Sequence, residues 1–376
     1  MSSGIYLHFP FCKVKCMYCD FYSIPKREDE IPKFIDLLAK EISLYADENH
    51  IDWKFDTIFL GGGTPSLFTP KGLELILHTL DSKFNLSNIK EITLEANPGE
   101  APYEKLIAFK ELGVNRLSMG FQSFDPDLLK FLGRIHSPKD CTKTFENARK
   151  AGFDNINADL IFDIPGQSLA KWKKDLKTLV DLQPEHISAY SLTVEENTTL
   201  FGLVKSGKVK MPSDSLDLAM FKHTRNYLFE NNYNSYEISN FCKANMECKH
   251  NLHYWNLDKY LAFGPSAHGF NGQLRWWNVR SLNEYYRKIN NDENPLESYE
   301  LLSNKNHFNE LIFNGLRMVK GVSIKNLVTL FPGDIYQYLD MKLDKWNGLE
   351  LSKNRLFLNE KGIMLADEIA SDLFIE

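Results

Sequence analysis

Three cysteines lie close together near the start of the sequence, in the run Cys12-Lys-Val-Lys-Cys16-Met-Tyr-Cys19. Thiolates are preferred ligands of soft metals, and the C-x3-C-x2-C spacing lets three of them converge on one inorganic centre. A [4Fe–4S] cluster held by three cysteines keeps one iron open for a further ligand. The run therefore predicts a [4Fe–4S] cluster on Cys12, Cys16 and Cys19.

Zinc is the competing interpretation of the same run, with His8 or a distant cysteine as the fourth ligand. Zinc sites usually combine two C-x2-C pairs, or one such pair with two histidines. The sequence contains neither arrangement around these cysteines, so it favours the cluster.

A glycine run, Gly61-Gly62-Gly63-Thr64-Pro65, follows the second predicted strand. Glycines permit close backbone approach to a ligand, and we expect their N–H groups to bind its polar end. A tight turn between strand and helix explains the run equally well. Polar residues also stand at the ends of later predicted strands, where α/β folds bind ligands. They lie in the runs Glu95-Ala-Asn97, Gly120-Phe-Gln122 and Asn157-Ala-Asp159.

The elements that must position these residues alternate between strands and helices. Strands are predicted over residues 4–9, 56–60, 89–95, 115–119, 155–162 and 186–192. Helices are predicted over residues 28–45, 70–80, 102–112, 140–151 and 169–182. This alternation predicts a parallel sheet with right-handed crossovers. It fits both an open, partial (β/α)6 barrel and a doubly wound sheet.

The pattern changes after about residue 195. We expect a helix over 215–231, a strand over 236–241 and a loop-rich aromatic stretch over 250–277. From residue 301 short helices alternate with strand-like pieces at 349–351 and 355–358, which predicts a small helical, winged-helix-like domain.

The composition excludes several classes of protein. A chain of 376 residues with net charge −6, 43% hydrophobic and 25% charged residues is typical of a soluble globular protein. No apolar run approaches the ~20 residues of a membrane span, and the first residues lack the features of a secretory signal. The slightly acidic charge gives no reason to expect a nucleic-acid partner. We therefore expect a cytoplasmic protein.

The cysteine run and the motifs around it resemble the radical S-adenosylmethionine (SAM) superfamily, whose hallmark is C-x3-C-x2-C after the first barrel strand. The resemblance implies an α/β fold built on a partial (β/α)6 barrel, with SAM bound to the open iron of the cluster. It also implies that the glycine run binds the methionyl amino group.

Within the superfamily the chain is similar to the branch of oxygen-independent coproporphyrinogen III oxidases and heme chaperones of the HemW type. The runs from Tyr6 to Cys12 and from Tyr18 to Phe21 match the cluster loop of that branch, and Gly264-Pro-Ser-Ala-His268 matches a loop near its cofactor pocket. The resemblance implies SAM contacts from Tyr6, Tyr18, Gly62, Gly63, Thr64, Glu95, Gln122, Arg134 and Asp159. It implies a radical SAM core at 1–235, a connecting region at 236–300 and a C-terminal domain of the HemN/HemW type at 301–376.

Two departures separate the chain from the oxidases. The oxidases end the cluster motif with Cys-x-Cys where this chain has Cys19-Asp20-Phe21, and they carry an N-terminal extension before the first strand. By contrast, the run from His250 to Trp255, HNLHYW, matches the H-N-x-x-Y-W signature of the heme chaperones. This match makes His250 the first candidate for a heme ligand, although a histidine beside aromatics is more often a packed core residue.

Other residues near the signature allow two interpretations. Cys242 and Cys248 are more often buried small residues than ligands. A group of aromatic residues follows the signature, namely Tyr254, Trp255, Tyr260, Phe263, Trp276 and Trp277. They could line a porphyrin-sized cleft or pack between domains.

The sequence thus predicts a protein that binds heme and delivers it to an acceptor, with a SAM-ligated cluster and a reductant for it. The alternative is radical SAM decarboxylation of coproporphyrinogen III. Whether the protein is an enzyme is left open, as are the acceptor, the electron donor and the oligomeric state.

Overall fold

A computed structural model describes residues 2–376 of the chain. Six parallel strands form the centre of its large sheet. These strands are β1 (Ser2–Phe9), β2 (Lys54–Gly62), β3 (Glu91–Ala96), β4 (Arg116–Gln122), β5 (Ile156–Phe162) and β6 (His186–Ser191). They pair in chain order, each parallel to the next. The structure therefore has the predicted α/β fold with a partial (β/α)6 barrel.

Helices cover the outer face of this barrel. They are α1 (Ile31–Glu48), α2 (Pro70–Lys83), α3 (Tyr103–Glu111), α4 (Pro126–Leu132), α5 (Pro138–Lys150), α6 (Leu169–Leu182), α7 (Thr199–Lys205) and α8 (Asp214–Glu230). Helix α4 was not predicted, because its seven residues are too few for a clear periodicity.

Short strands extend the sheet at both edges, where the sequence predicted loops or a connecting region. On one side lie β7 (Asn234–Ser235) and β8 (Asn240–Cys242), so most of the strand predicted over 236–241 is wrong. On the other side lie β9 (Tyr260–Phe263), β10 (His268–Phe270), β11 (Leu274–Asn278) and β12 (Leu296–Leu301). The sheet order is β12-β11-β10-β9-β1-β2-β3-β4-β5-β6-β8-β7.

The stretch 250–277 is also more regular than expected, because it contains helix α9 (Lys249–Asn256) as well as three of these strands. The prediction of a loop-rich stretch is therefore wrong. Helix α10 (Leu282–Asn290) follows, and a buried carboxylate, Glu41 of α1, holds the region in place. It accepts hydrogen bonds from the Gly264 amide at 2.8 Å, the Asn278 side chain at 2.6 Å and the Tyr285 hydroxyl at 2.6 Å.

The C-terminal part has its own hydrophobic core, centred on Phe308, Ile312, Leu339 and Ile369. Its helices are α11 (Asn304–Arg317), α12 (Ile324–Val328), α13 (Ile335–Lys345), α14 (Glu360–Ile363) and α15 (Ala366–Asp372). Its three strands are β13 (Val322–Ser323), β14 (Leu349–Ser352) and β15 (Arg355–Leu358), which form a separate antiparallel sheet. Within residues 2–376 no helix is long and apolar enough to cross a membrane.

Candidate functional site

The three cysteines lie on one loop at the carboxyl end of β1. The loop leaves the sheet at Pro10 and returns at Ile24, whose amide donates to the Pro10 carbonyl at 2.6 Å. Its middle is attached to the barrel rim, since the Met17 amide donates to the Leu132 carbonyl at 3.3 Å and the Met17 carbonyl accepts from the Leu200 amide at 2.9 Å. The three thiols are free and half-buried. The loop thus presents three sulfur atoms at the mouth of the barrel.

Hydrogen bonds from two other parts of the barrel rim reach two of these sulfurs. The Thr64 hydroxyl donates to the Cys12 sulfur at 3.4 Å, and an Arg134 Nη donates to the Cys16 sulfur at 3.4 Å. Asn97 joins these two donors, because its Nδ2 lies 2.9 Å from the Thr64 hydroxyl and its Oδ1 accepts from Arg134. Donors aimed at sulfur stabilise thiolate ligands. The network therefore fixes the cysteine loop in a form suited to thiolates.

The residues present fit an iron–sulfur cluster better than zinc. Burial, together with the neighbouring Cys19 and Cys16, raises the pKa of Cys12 to about 11, so three bare thiolates would repel one another. Positively charged iron removes this penalty. Among residues 2–376, no three His, Cys, Asp or Glu side chains converge closely enough to hold one metal ion. A cluster binds each cysteine on a different iron and so does not need such convergence.

His8, the expected fourth ligand of the zinc alternative, is engaged elsewhere. Its Nε2 lies 2.8 Å from the Tyr22 carbonyl oxygen, and its Nδ1 lies 3.0 Å from the Tyr6 hydroxyl. Burial lowers the pKa of His8 to about 4, so the ring is neutral at pH 7. Both nitrogens of a neutral imidazole are thereby used, and none is left for a metal.

The glycine run allows the turn after β2 to pack closely against the backbone of the cysteine loop. A Cβ on Gly63 would lie 2.5 Å from the Phe11 carbonyl oxygen, and Gly62 has φ +105°, which favours glycine. The expectation that these N–H groups bind a ligand is wrong for Gly62 and Gly63. The Gly62 amide donates to Glu95 Oε2 at 3.1 Å and the Gly63 amide donates to the Phe9 carbonyl at 2.6 Å. A ligand at this turn would find carbonyl oxygens, which suit an ammonium group.

Carboxylates of two strands face the interior beside the cysteine loop. Burial and the nearby Asp159 raise the pKa of Glu95 to about 8, so Glu95 is largely protonated at pH 7. Asp159 Oδ1 accepts from the Asn157 side chain at 2.7 Å, and burial raises its pKa as well. Tyr18 lies between the cysteines and Asp159 and lines the same space. The site therefore combines neutral and charged oxygen acceptors, which suit the hydroxyls of a ribose.

Gln122 ends β4 in the left-handed region, with φ +66°. Its amide folds back over Gly120, where a Cβ would lie 2.8 Å from Gln122 Nε2 and 3.3 Å from Arg134 Nη2. The structure thus brings Thr64 and Arg134 to the cysteine loop, whereas Gln122 lies with Arg134 against Gly120. It places Tyr6 directly beside His8, and Tyr18, Glu95 and Asp159 around the adjoining cavity.

That cavity has a volume of about 1570 Å³ and extends from the barrel interior to the C-terminal part. Its inner wall includes Phe59, Glu95 and Asp159, and its outer wall is formed by residues 345–348 and 361–369. Cys19 and the exposed Phe21 line its side. The cysteine loop and a space much larger than SAM alone are therefore contiguous.

The structure does not present His250, the expected heme ligand, to a heme iron. The side chain is fully buried. Its Nδ1 lies 2.8 Å from the Thr57 hydroxyl and its Nε2 lies 2.9 Å from the Tyr254 hydroxyl. An axial ligand needs a free ring nitrogen with open space for a macrocycle. His250 has neither, because it closes the amino end of the barrel.

Helix α9, which carries the HNLHYW run, instead joins the barrel to the C-terminal part. Glu91 of β3 caps its amino end by accepting from the His250 amide at 3.1 Å. On its other side the Tyr254 carbonyl accepts from Asn314 at 3.2 Å, and the Arg317 guanidinium lies 5.5 Å from the Trp255 ring centre. The motif therefore connects two units through one short helix.

The aromatic residues of this region mostly pack rather than line the cavity. Tyr254 and Tyr260 meet edge to face at 4.8 Å, and Phe263 and Trp276 are buried. Cys242 and Cys248, the other candidate ligands, are buried, and so is His253. His268 is exposed and stacks on Trp277 at 5.7 Å.

Sequence reasoning missed Asn97 as the residue that joins Thr64 to Arg134, and it missed the polar floor of the barrel. Arg116, Ser118 and Asn157 line the cavity from within. The sequence does contain a signal for them, because polar residues occupy every second position of strands that are otherwise apolar. Residues at alternate positions of a strand lie on the same face of the sheet.

Residues 6–179 match the Radical SAM superfamily, and residues 302–365 match the HemN C-terminal domain. The chain is 35% identical over 374 residues to the heme chaperone HemW of Bacillus subtilis, covering 97% of both chains. It is 31% identical over 382 residues to the heme chaperone HemW of Lactococcus lactis, covering 100% of this chain and 98% of the relative.

Among solved structures, the chain is similar to the coproporphyrinogen III oxidase HemN of Escherichia coli, with a TM-score of 0.84 and 21% identity. The match covers 98% of this chain and 89% of that one. At this identity the likeness shows the fold alone.

Proposed function

Because the chain belongs to the heme chaperone HemW family of radical SAM proteins, we propose that it binds heme and delivers it to an acceptor protein. Relatives named as heme chaperones match nearly the whole chain, so both the barrel and the C-terminal part take part in this proposal.

Membership of the radical SAM superfamily implies a [4Fe–4S] cluster and SAM. We propose Cys12, Cys16 and Cys19 as the cluster ligands, with Thr64 and Arg134 donating to two of the sulfurs. When bound, the cluster supplies one-electron chemistry, and the chain's own residues orient SAM beside it. Glu95 and Asp159 suit the ribose hydroxyls, and the carbonyl oxygens of the glycine turn suit the methionyl ammonium.

The observation that carries the proposal is the cavity of about 1570 Å³ beside the cysteine loop. Ligand sites usually enclose about 300–1,000 Å³, so this space is large enough for SAM and a macrocycle together. Its wall offers apolar surface from Phe21, Phe221 and Leu218 as well as polar groups. The C-terminal part closes it, which gives a route for release if that part moves.

The proposal also covers the location of the protein in the cell and its protein partners. All six cysteines are free thiols, which is typical of proteins in a reducing compartment, and we therefore place the protein in the cytoplasm. We further propose two protein partners, a heme acceptor and a reductant for the cluster.

The test is anaerobic reconstitution with iron, sulfide and SAM, followed by titration with heme and addition of apomyoglobin as a probe acceptor. We expect a saturable Soret shift and transfer of heme to apomyoglobin faster than release into buffer. A heme affinity no higher than that of serum albumin used as a control, together with no transfer, would contradict the proposal.

A further inference from the structure

The interior of the barrel is polar over most of its depth. Alternate residues of each strand face either the helices or the interior, and the interior-facing set is largely polar. That set comprises Thr57, Glu91, Thr93, Glu95, Arg116, Ser118, Asn157, Asp159, His186 and Ser188. Such an interior is stable only if its polar groups find partners.

Most of these groups have protein partners. Asn157 donates to the Ser118 hydroxyl at 2.8 Å, and its Oδ1 lies 2.6 Å from His186 Nδ1 and accepts from the Ser188 hydroxyl at 3.1 Å. His186 Nε2 in turn lies 2.9 Å from the Tyr236 hydroxyl. This network is complete without any ligand.

Arg116 is the exception. Its side chain is 2% exposed and lines the cavity, and its Nε has no hydrogen-bond partner among residues 2–376. Burial lowers the pKa of Arg116, but nearby groups that include Cys248, Glu91 and Asp159 raise it above its usual value, and none of them accepts a hydrogen bond from Nε. The contrast with Arg134 is direct, because that buried guanidinium contacts Cys16, Asn97 and Gly120.

The nearest carboxylates are committed to other groups. Glu91 accepts from two amides at the start of α9, at 3.0 and 3.1 Å, and Asp159 accepts from Asn157 at 2.7 Å. A buried guanidinium without an anionic partner is costly, since its five donors prefer the planar, two-oxygen geometry of a carboxylate. Arg116 therefore faces the cavity with carboxylates nearby but with no hydrogen-bond partner for its Nε.

We propose that Arg116 anchors a carboxylate at the floor of the cavity, and that a propionate of the bound heme occupies this position. The inference rests on the proposed function, since heme is the ligand that brings the carboxylate.

The depth of the site separates it from SAM. Arg116 starts β4, six residues before Gln122 at the mouth, which corresponds to roughly 20 Å along the strand. The carboxylate of SAM belongs near the cysteine loop at the mouth, and the opposite end of SAM carries no anion.

Other cations of the cavity are poorer candidates. Lys361 lines the cavity as well, but it is exposed, so water already solvates its charge. Arg317 and Lys345 also line it, but they pair with Asp367 at 3.1 Å and Asp372 at 2.7 Å. A ligand carboxylate would have to displace these partners, whereas Arg116 is free to receive one.

The experiment compares ferric heme with its dimethyl ester, which has the same macrocycle without carboxylates. We expect the wild-type protein to bind the diacid more tightly by about tenfold or more, as expected of a charge-assisted pair. Arg116→Met should lose most of this preference and bind the ester as wild type does. Arg225→Met is the matched control, because Arg225 also has an unpartnered buried nitrogen but lies outside the cavity lining.

The ligand-free melting temperature provides the second measurement. If Arg116 serves a ligand, Arg116→Met should melt at or above the wild-type temperature, because it removes an unpaired buried charge. A lower melting temperature with the preference intact would assign Arg116 a structural role and overturn the proposal.

The remaining outcomes are also decisive. Equal binding of diacid and ester by the wild-type protein overturns this inference without using a variant, and it leaves the proposed function in place. No saturable binding of either compound by the wild-type protein overturns the proposed function and this inference together.

Discussion

Three sulfur atoms at the barrel mouth carry the cluster assignment. Replacing Cys12, Cys16 or Cys19 singly by Ala should remove the thiolate-to-iron absorbance near ~400 nm of the reconstituted protein. Cys141 provides the control, because it is fully buried in the core outside the loop. Cys141→Ala should keep the absorbance and the iron content. Full iron content in all three loop variants would contradict the assignment.

His250 contributes to the stability of this fold, and we expect its replacement to lower stability without changing heme affinity. The ring is buried and both nitrogens are hydrogen bonded, so His250→Ala leaves a cavity and unpaired polar groups. We expect a loss of about 2–4 kcal/mol in the free energy of unfolding, with unchanged heme affinity of the folded fraction. Chemical denaturation and heme titration measure the two quantities.

The exposed His78 is the control for this variant. His78→Ala should change neither quantity. A His250→Ala protein of wild-type stability whose Soret band is displaced would show that His250 does ligate heme after rearrangement.

At the scale of elements, helix α9 is attached to the barrel through a charged histidine. Burial alone would lower the pKa of His253, but hydrogen bonds to Asp258 at 3.1 Å and Asp56 at 2.8 Å outweigh it and raise the pKa to about 9. The folded protein therefore holds this proton more tightly than the unfolded chain, whose histidine titrates near 6.5.

It follows that protonated His253 stabilises the fold fully below about pH 6.5, and that this stabilisation is lost as the pH rises through about 9. We expect the free energy of unfolding to fall by up to about 3 kcal/mol across this window. His253→Gln should flatten the profile, and urea unfolding at several pH values measures it. An identical profile in the variant would place the pH dependence elsewhere.

A substitution in the turn after β2 can test the close contact between the glycine run and the cysteine loop. A Cβ on Gly63 would meet the Phe11 and Phe9 carbonyl oxygens at 2.5 and 2.8 Å, and backbone atoms cannot move away cheaply. Gly63→Ala should therefore displace the cysteine loop, lower stability by more than about 2 kcal/mol and reduce cluster retention.

Gly202 in α7 is the matched control, since no atom lies within 4 Å of its added Cβ. Gly202→Ala should stabilise the protein by about 0.5–1 kcal/mol, because it is an interior helix position. Thermal melts and iron analysis of both variants test the contrast. Equal behaviour of the two variants would mean that the loop does not depend on this contact.

At the scale of the whole molecule, the shared fold with HemN does not imply shared chemistry. Phe21 stands where the oxidases have a second cysteine, it is 68% exposed and it lines the cavity. An aromatic ring cannot deliver a proton or an electron as a thiol can. We expect no decarboxylation of coproporphyrinogen III by the reconstituted protein with SAM and reductant.

Product analysis by chromatography under anaerobic conditions is the measurement. The Phe21→Cys variant should also be inactive, since one thiol does not create the rest of an oxidase site. Turnover by the wild-type protein at ~1 s⁻¹ or faster, a rate typical of enzymes, would contradict the expectation.

Much of this protein could be predicted from local sequence. The cysteine run spans eight residues, so its chemistry does not depend on distant parts of the chain. The six parallel strands were predicted within a few residues of their observed bounds, because buried parallel strands are short apolar runs bounded by turn residues. Glu95 could be placed near a strand end for the same reason.

Only the tertiary structure decided the roles of His250 and Arg116. His250 pairs with Thr57 and Tyr254, and the capping Glu91 lies 159 residues away, so its burial is invisible to any local pattern. Arg116 is one of the alternating polar residues of its strand, and the missing partner of its Nε emerges only when neighbouring strands enclose it. Local sequence determines which groups a segment offers, whereas long-range packing determines which of them remain free to bind a ligand.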